Sequence, residues 1–64
     1  MDADAADFLG GPEELAALVE VPVQTVYGWN SARTGPRYYK IGRHVRYRRV
    51  DVERWLEQQA VEAT

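Results

Sequence analysis

From Gly35 to Tyr47 the chain reads GPRYYKIGRHVRY, and this run constrains the fold more than any other. Tyr39, Ile41, Val45 and Tyr47 recur at period two, with Lys40, Arg46 and a Gly42-Arg43-His44 tip between them. Apolar alternation interrupted by glycine predicts two short strands joined by a turn. The spacing assigns two tyrosines and two aliphatics to a buried face, and positive charge to the other face and the tip. Gly42 suits the positive φ of a tight hairpin turn. A lone two-stranded ribbon is marginal in water, so the rest of the chain must supply the surface on which it packs.

Three short helices are predicted to supply it. Residues 1–7 are small and acidic, without apolar periodicity, and are expected to form a flexible arm. The folded domain is expected over residues 8–59, with a frayed polar tail at 60–64. Phe8 and Leu9 are the first residues able to anchor to a core. After Gly10-Gly11, Pro12 suits the first helical position, and Glu13 and Glu14 suit the positive end of the helix dipole. The first helix is predicted from Pro12 to Val19, with Leu15, Leu18 and Val19 on one face and Ala16 beside them. Pro22 disfavours helical geometry at Val21 but can open a second helix, Val23 to about Ser31. There Val26 and Trp29 turn to the core, leaving Val23, Gln24, Tyr27, Gly28 and Ser31 on the other faces. Gly28 costs up to about 1 kcal/mol against alanine, which fits either a close approach by another surface or a tolerated weakness. Thr34-Gly35-Pro36 signals a turn before the hairpin. A third helix from Val50 to Gln59 carries Asp51 in its first turn and Val52, Trp55 and Leu56 on its apolar face. Trp29 and Trp55 read as core, because a domain this small needs large apolar side chains.

Composition narrows the function. The chain has no cysteine and one histidine, so thiolate metal sites and disulfides are excluded and no cofactor is expected. No nucleophile–base pair or phosphate loop appears, and the chain reads as a non-enzyme. No apolar run approaches the roughly 20 residues that span a bilayer and no leader opens the chain, so a cytoplasmic location without membrane contact is expected. The formal net charge of -2 conceals a segregation. Residues 1–32 hold Asp2, Asp4, Asp7, Glu13, Glu14 and Glu20 with no Lys or Arg. Residues 33–49 hold Arg33, Arg37, Lys40, Arg43, Arg46, Arg48 and Arg49 with no acid. Local charge decides where an anion binds, because more distant charges are screened.

Two short helices joined by a tight turn have the form of a helix-turn-helix. Ala16 supplies the small residue where the second helix crosses the first, and Val26 and Trp29 fix the crossing. ELAALVEVPVQTVYGW followed by GPRYYKIGRHVRYRRVDVERWL resembles the small winged-helix DNA-binding proteins of the excisionase type, related to the DNA-binding domains of MerR-like regulators. The resemblance covers about residues 9–57. It implies an α+β winged helix-turn-helix fold: helix-turn-helix, two-stranded β-hairpin wing, C-terminal helix. It further implies that the second helix enters the major groove with Val23, Gln24, Thr25, Tyr27, Gly28 and Ser31, and that the wing meets DNA with Lys40, Arg43, His44 and Arg46. Two positions depart from the family: Glu20 stands where glycine is usual, and Pro22 replaces a Ser or Thr cap. An excisionase would act architecturally, several copies binding adjacent sites head to tail, bending DNA and assisting an integrase. The alternatives are a small MerR-like transcriptional regulator at a promoter, and a protein-binding adaptor or antitoxin-like module whose hairpin engages an acidic partner.

The residues support a double-stranded DNA partner without the resemblance. Arg43, Arg46 and Arg48, with Arg33 and Arg37 at the hairpin entrance, can neutralise phosphates and release counterions. Gln24 is the best base reader, since Gln bonds bidentately to adenine, and Asn30 can do the same if exposed. An arginine at the wing tip can enter a narrow minor groove. Each assignment has a structural competitor. Arg46 or Arg48 can pair with Asp51, Glu53 or the acidic first helix, and Tyr27 can lie against the hairpin instead of on DNA.

Overall fold

A computed structural model describes residues 7–62. The element order is β1 (Phe8–Gly10), α1 (Pro12–Val19), α2 (Val23–Ala32), β2 (Tyr39–Ile41), β3 (His44–Arg48) and α3 (Arg49–Gln58). Most of the acidic arm, residues 1–6, and the last two residues of the tail lie outside the described residues.

The helices begin and end for local reasons. At α1, Pro12 follows Gly11, whose N–H donates to Glu14 Oε1 at 2.7 Å, the return half of a capping box. That bond, before any other influence, holds the Glu14 carboxyl below the ordinary 4.5. Both helices of the helix-turn-helix stop in the same way. Glu20 adopts φ 60° and the Val21 N–H reaches back to the Ala16 carbonyl at 3.0 Å. Arg33 adopts φ 62° and the Thr34 N–H reaches the Trp29 carbonyl at 2.9 Å. These are left-handed helix ends that ordinarily favour glycine, so Glu20 takes the conformation that glycine usually fills at that turn.

The core is Leu15, Ala16, Val26, Tyr47 and Val52, all buried, with Trp55 at its edge. Leu15 and Ala16 lie on the face of α1 that α2 crosses, and Val26 is the fully buried residue of α2, as helical spacing requires. Trp29 stacks on Trp55 with ring centroids 5.0 Å apart. Trp55 Nε1 donates to the Thr34 carbonyl at 3.0 Å, tying α3 to the end of α2. A Cβ on Gly35 would stand 2.9 Å from Trp29 Cβ, so the chain can pass the indole there only as glycine. Leu18 and Leu56, read as apolar-face residues, are instead exposed at the margins of the core.

The sheet corrects the sequence reading in two respects. It has three strands in the order β1-β3-β2, because Phe8–Gly10 pairs antiparallel with β3 and closes the edge a bare hairpin would expose. A three-residue segment containing glycine carries no periodicity by which to read it as a strand. Second, the pairing is Tyr39 with Arg46, Lys40 with Val45, and Ile41 with His44. The turn is therefore the two residues Gly42, at φ 65°, and Arg43. A two-residue turn pairs odd positions with even ones, so the parity of facing reverses across it. Val45 and Tyr47 share the core face with Lys40's rung, whereas Tyr39 and Ile41 share the opposite face with His44, Arg46 and Arg48. Tyr38, not Tyr39, meets Tyr47 edge to face at 6.2 Å, while Tyr39 meets Phe8 at 6.2 Å on the outer side.

Candidate nucleic-acid interface

The hairpin lies beside α2 and leaves a groove on each side of it. The first groove, about 360 Å³, joins Tyr27 of α2 to Arg43, His44, Val45 and Arg46 of the wing, with Gly11, Pro12, Glu13 and Glu14 forming the far wall. The second, about 450 Å³, joins Trp29, Asn30 and Arg33 to Gly35, Pro36, Arg37, Tyr38 and Lys40. Its walls carry three cations and no carboxylate, so an anion entering it meets only attraction. Between the grooves α2 presents an exposed surface of Gln24, Thr25, Tyr27, Gly28 and Ser31. A Cβ on Gly28 would meet nothing within 4 Å, so this stretch of the helix is open to an approaching surface. Pro22 begins α2 without a side-chain cap, leaving the positive end of the helix dipole unanswered by a carboxylate or hydroxyl at that position.

The structure sorts the sequence-derived residues. Val23, grouped with the exposed set, is half-buried and packs on the core cluster. Asn30 is engaged in the fold: the Tyr47 hydroxyl donates to its Oδ1 at 2.8 Å. That bond ties α2 to β3 and withdraws the Asn30 oxygen from bidentate adenine reading. Burial raises the Tyr47 hydroxyl above its ordinary pKa, with the Asn30 bond opposing. Arg33, Lys40, Arg43 and His44 are exposed along the grooves. Arg37 lies over the Tyr39 ring at 5.3 Å, which steadies its guanidinium at the hairpin entrance. Arg46 Nη1 donates to its neighbour's carbonyl, Val45 O, at 2.8 Å, which sets the guanidinium against Gly11 at the groove wall.

Arg48 differs from the rest. Its Nη2 donates to Asp7 Oδ2 at 2.7 Å, and that bond is the main cause raising its pKa. The partner comes from the end of the acidic arm, not from Asp51, Glu53 or α1. Arg48 thus ties β3 to the residue that precedes β1 and lines neither groove. Asp51, in the first turn of α3, is buried at 7% exposure, with Arg54 Nη1 3.7 Å from its Oδ1. Sequence patterning gave no sign of the Asp7–Arg48 and Asn30–Tyr47 pairs, because each joins residues far apart in the chain.

A short turn between two crossed helices, the second uncovered and flanked by a basic hairpin, defines a helix-turn-helix domain with a wing. The comparison with known families agrees. A family model described as a helix-turn-helix domain matches residues 11–60, most of the chain, and the chain belongs to that family. No match was found among curated proteins or among solved structures. Among the described residues, no helix is long and apolar enough to cross a membrane.

Proposed function

We propose that this chain is a sequence-specific, double-stranded DNA-binding protein of the excisionase type, acting architecturally in the cytoplasm. The observation that carries the reading is the uncovered face of α2 between two wing grooves, one of them lined by cations alone. In this reading Gln24, Thr25, Gly28 and Ser31 meet base edges in the major groove, with Tyr27 bridging to the wing. Arg33, Arg37, Lys40, Arg43 and Arg46 meet phosphates on either side and set the register. The chain makes and breaks no bond. One domain of this size covers a short site, so selectivity in a genome requires several copies or a partner. Adjacent copies associate head to tail, acidic helices of one against the basic wing region of the next, bend the duplex and assist an integrase in excision.

Selection from a random duplex pool, followed by footprinting and circular-permutation bending, tests this. The expected result is one enriched motif, protected in tandem and bent. A pool with no enrichment overturns sequence-specific binding, and a single unbent footprint overturns the architectural role.

A further inference from the structure

The hairpin tip stands clear of the rest of the domain. Residues 40–44 are all exposed, and a Cβ on Gly42 would meet nothing within 4 Å. Ile41 is the one aliphatic among them, 55% exposed and outside the core and the side chains packed on it. The strand register fixes where it points. Ile41 pairs with His44, so the two side chains share a face of the ribbon, and Arg46, two residues further on, shares it as well. His44 and Arg46 line the first groove together with Tyr27 of α2. Lys40, on the opposite face, lines the second groove, and Arg43 sits in the turn between the two faces. Ile41 therefore projects from the middle of the cations that meet the duplex in the DNA-binding reading, where an aliphatic side chain has no phosphate to answer.

We propose that Ile41 is a wedge that enters the minor groove and opens one base step. The tip carries cations on both faces, Lys40 on one and Arg46 on the other with Arg43 between, which suits a groove with phosphates along both walls. The minor groove, about 6 Å wide, is the narrower of the two and brings its walls closest to a ribbon. With the cations on the backbones, Ile41 is carried to the groove floor, where it can form no hydrogen bond with base edges. Its favourable contact there is the flat face of a base, uncovered by partial unstacking. Opening a step in this way kinks the duplex toward the major groove, the groove that α2 occupies in this reading, and draws more of the duplex onto the domain. The step opened is a pyrimidine–purine one, TA or CA/TG, because those unstack most easily. The wedge rests on the DNA-binding reading and gives the bend a residue and a base step.

The test uses the duplex enriched from the random pool, with 2-aminopurine replacing one adenine at a time and dyes at the ends to report the bend. At saturation, wild type should brighten 2-aminopurine at a TA or CA/TG step and bend the duplex by roughly 20° or more. Ile41→Met keeps the apolar reach without the β-branch and should keep both signals. Ile41→Thr keeps the β-branch that suits a strand but loses the apolar reach, and should lose both. Either variant should keep the wild-type salt slope, since Ile41 neutralises no phosphate. Deoxyuridine in place of thymidine should leave the bend unchanged, because the thymine methyl lies in the major groove. A wild-type complex in which no 2-aminopurine brightens, or an Ile41→Thr complex that bends like wild type, overturns this inference alone. A bend lost on the deoxyuridine duplex overturns it too, since Ile41 would then rest on a thymine methyl. If no duplex is enriched, the sequence-specific DNA reading fails, and this inference with it.

Discussion

Tyr47→Phe measures the tie between the second helix and the wing. Tyr47 is fully buried, and its hydroxyl donates to Asn30 Oδ1 at 2.8 Å across 17 residues of sequence. The substitution keeps the ring, the edge-to-face contact with Tyr38 and the core volume; it removes one hydroxyl. Asn30 is half-buried, so its orphaned oxygen regains water, and the loss approximates one net hydrogen bond, about 1 kcal/mol. In a domain of this length that lowers the melting temperature by roughly 4–8 °C. Asn30→Ala removes the same bond from the other side, so the two changes must not add. Urea unfolding of wild type, both single variants and the double variant, followed by tryptophan fluorescence, should give a coupling of about 1 kcal/mol. Additivity within about 0.3 kcal/mol would refute the bond as a stabilising link.

Tyr47 also predicts an alkaline limit. Burial raises its pKa in the folded state above the ordinary 10.0, so the neutral hydroxyl stabilises the fold fully below pH 10 and that contribution is lost as pH rises through the higher folded value. Wild type should lose stability above about pH 10 more steeply than Tyr47→Phe, and parallel pH profiles from unfolding titrations would count against it. Glu20→Gly relieves a left-handed residue at the helix-turn-helix corner, φ 60°. Stability should rise by up to about 1 kcal/mol in denaturant titrations, less what the freer unfolded chain returns; a fall would show that Glu20 holds an unrecognised contact.

The helices were legible because each has its own punctuation: Pro12 and Pro22 open α1 and α2, and Leu15, Val26 and Trp55 mark inward faces at helical spacing. Their observed spans lie within a residue or so of those expected. The hairpin's existence was legible from Gly42 and the alternation around it, but its facing was not. Continuing period two through the turn assumes an odd number of turn residues, and the observed turn has two, which moved Tyr39 and Ile41 to the outside. Strand β1 gave no signal because three residues cannot show a period. On the candidate site, the charge block coincides with the hairpin and its entrance, yet where each cation lies depends on long-range partners. Asp7 takes Arg48 and Tyr47 takes Asn30, and neither pairing follows from local spacing.

The salt dependence of duplex affinity tests the central claim most directly. Arg33, Arg37, Lys40, Arg43 and Arg46 stand along the two grooves, whereas Arg48 is held by Asp7. With four or five phosphates neutralised, the logarithm of the binding constant should fall against the logarithm of salt with a slope near -4, roughly 0.9 per contact. Arg43→Ala should flatten that slope by about one, and Arg48→Ala should change it by less than Arg43→Ala does. A wild-type slope shallower than about -1, or no duplex binding above background at low salt, would contradict the account.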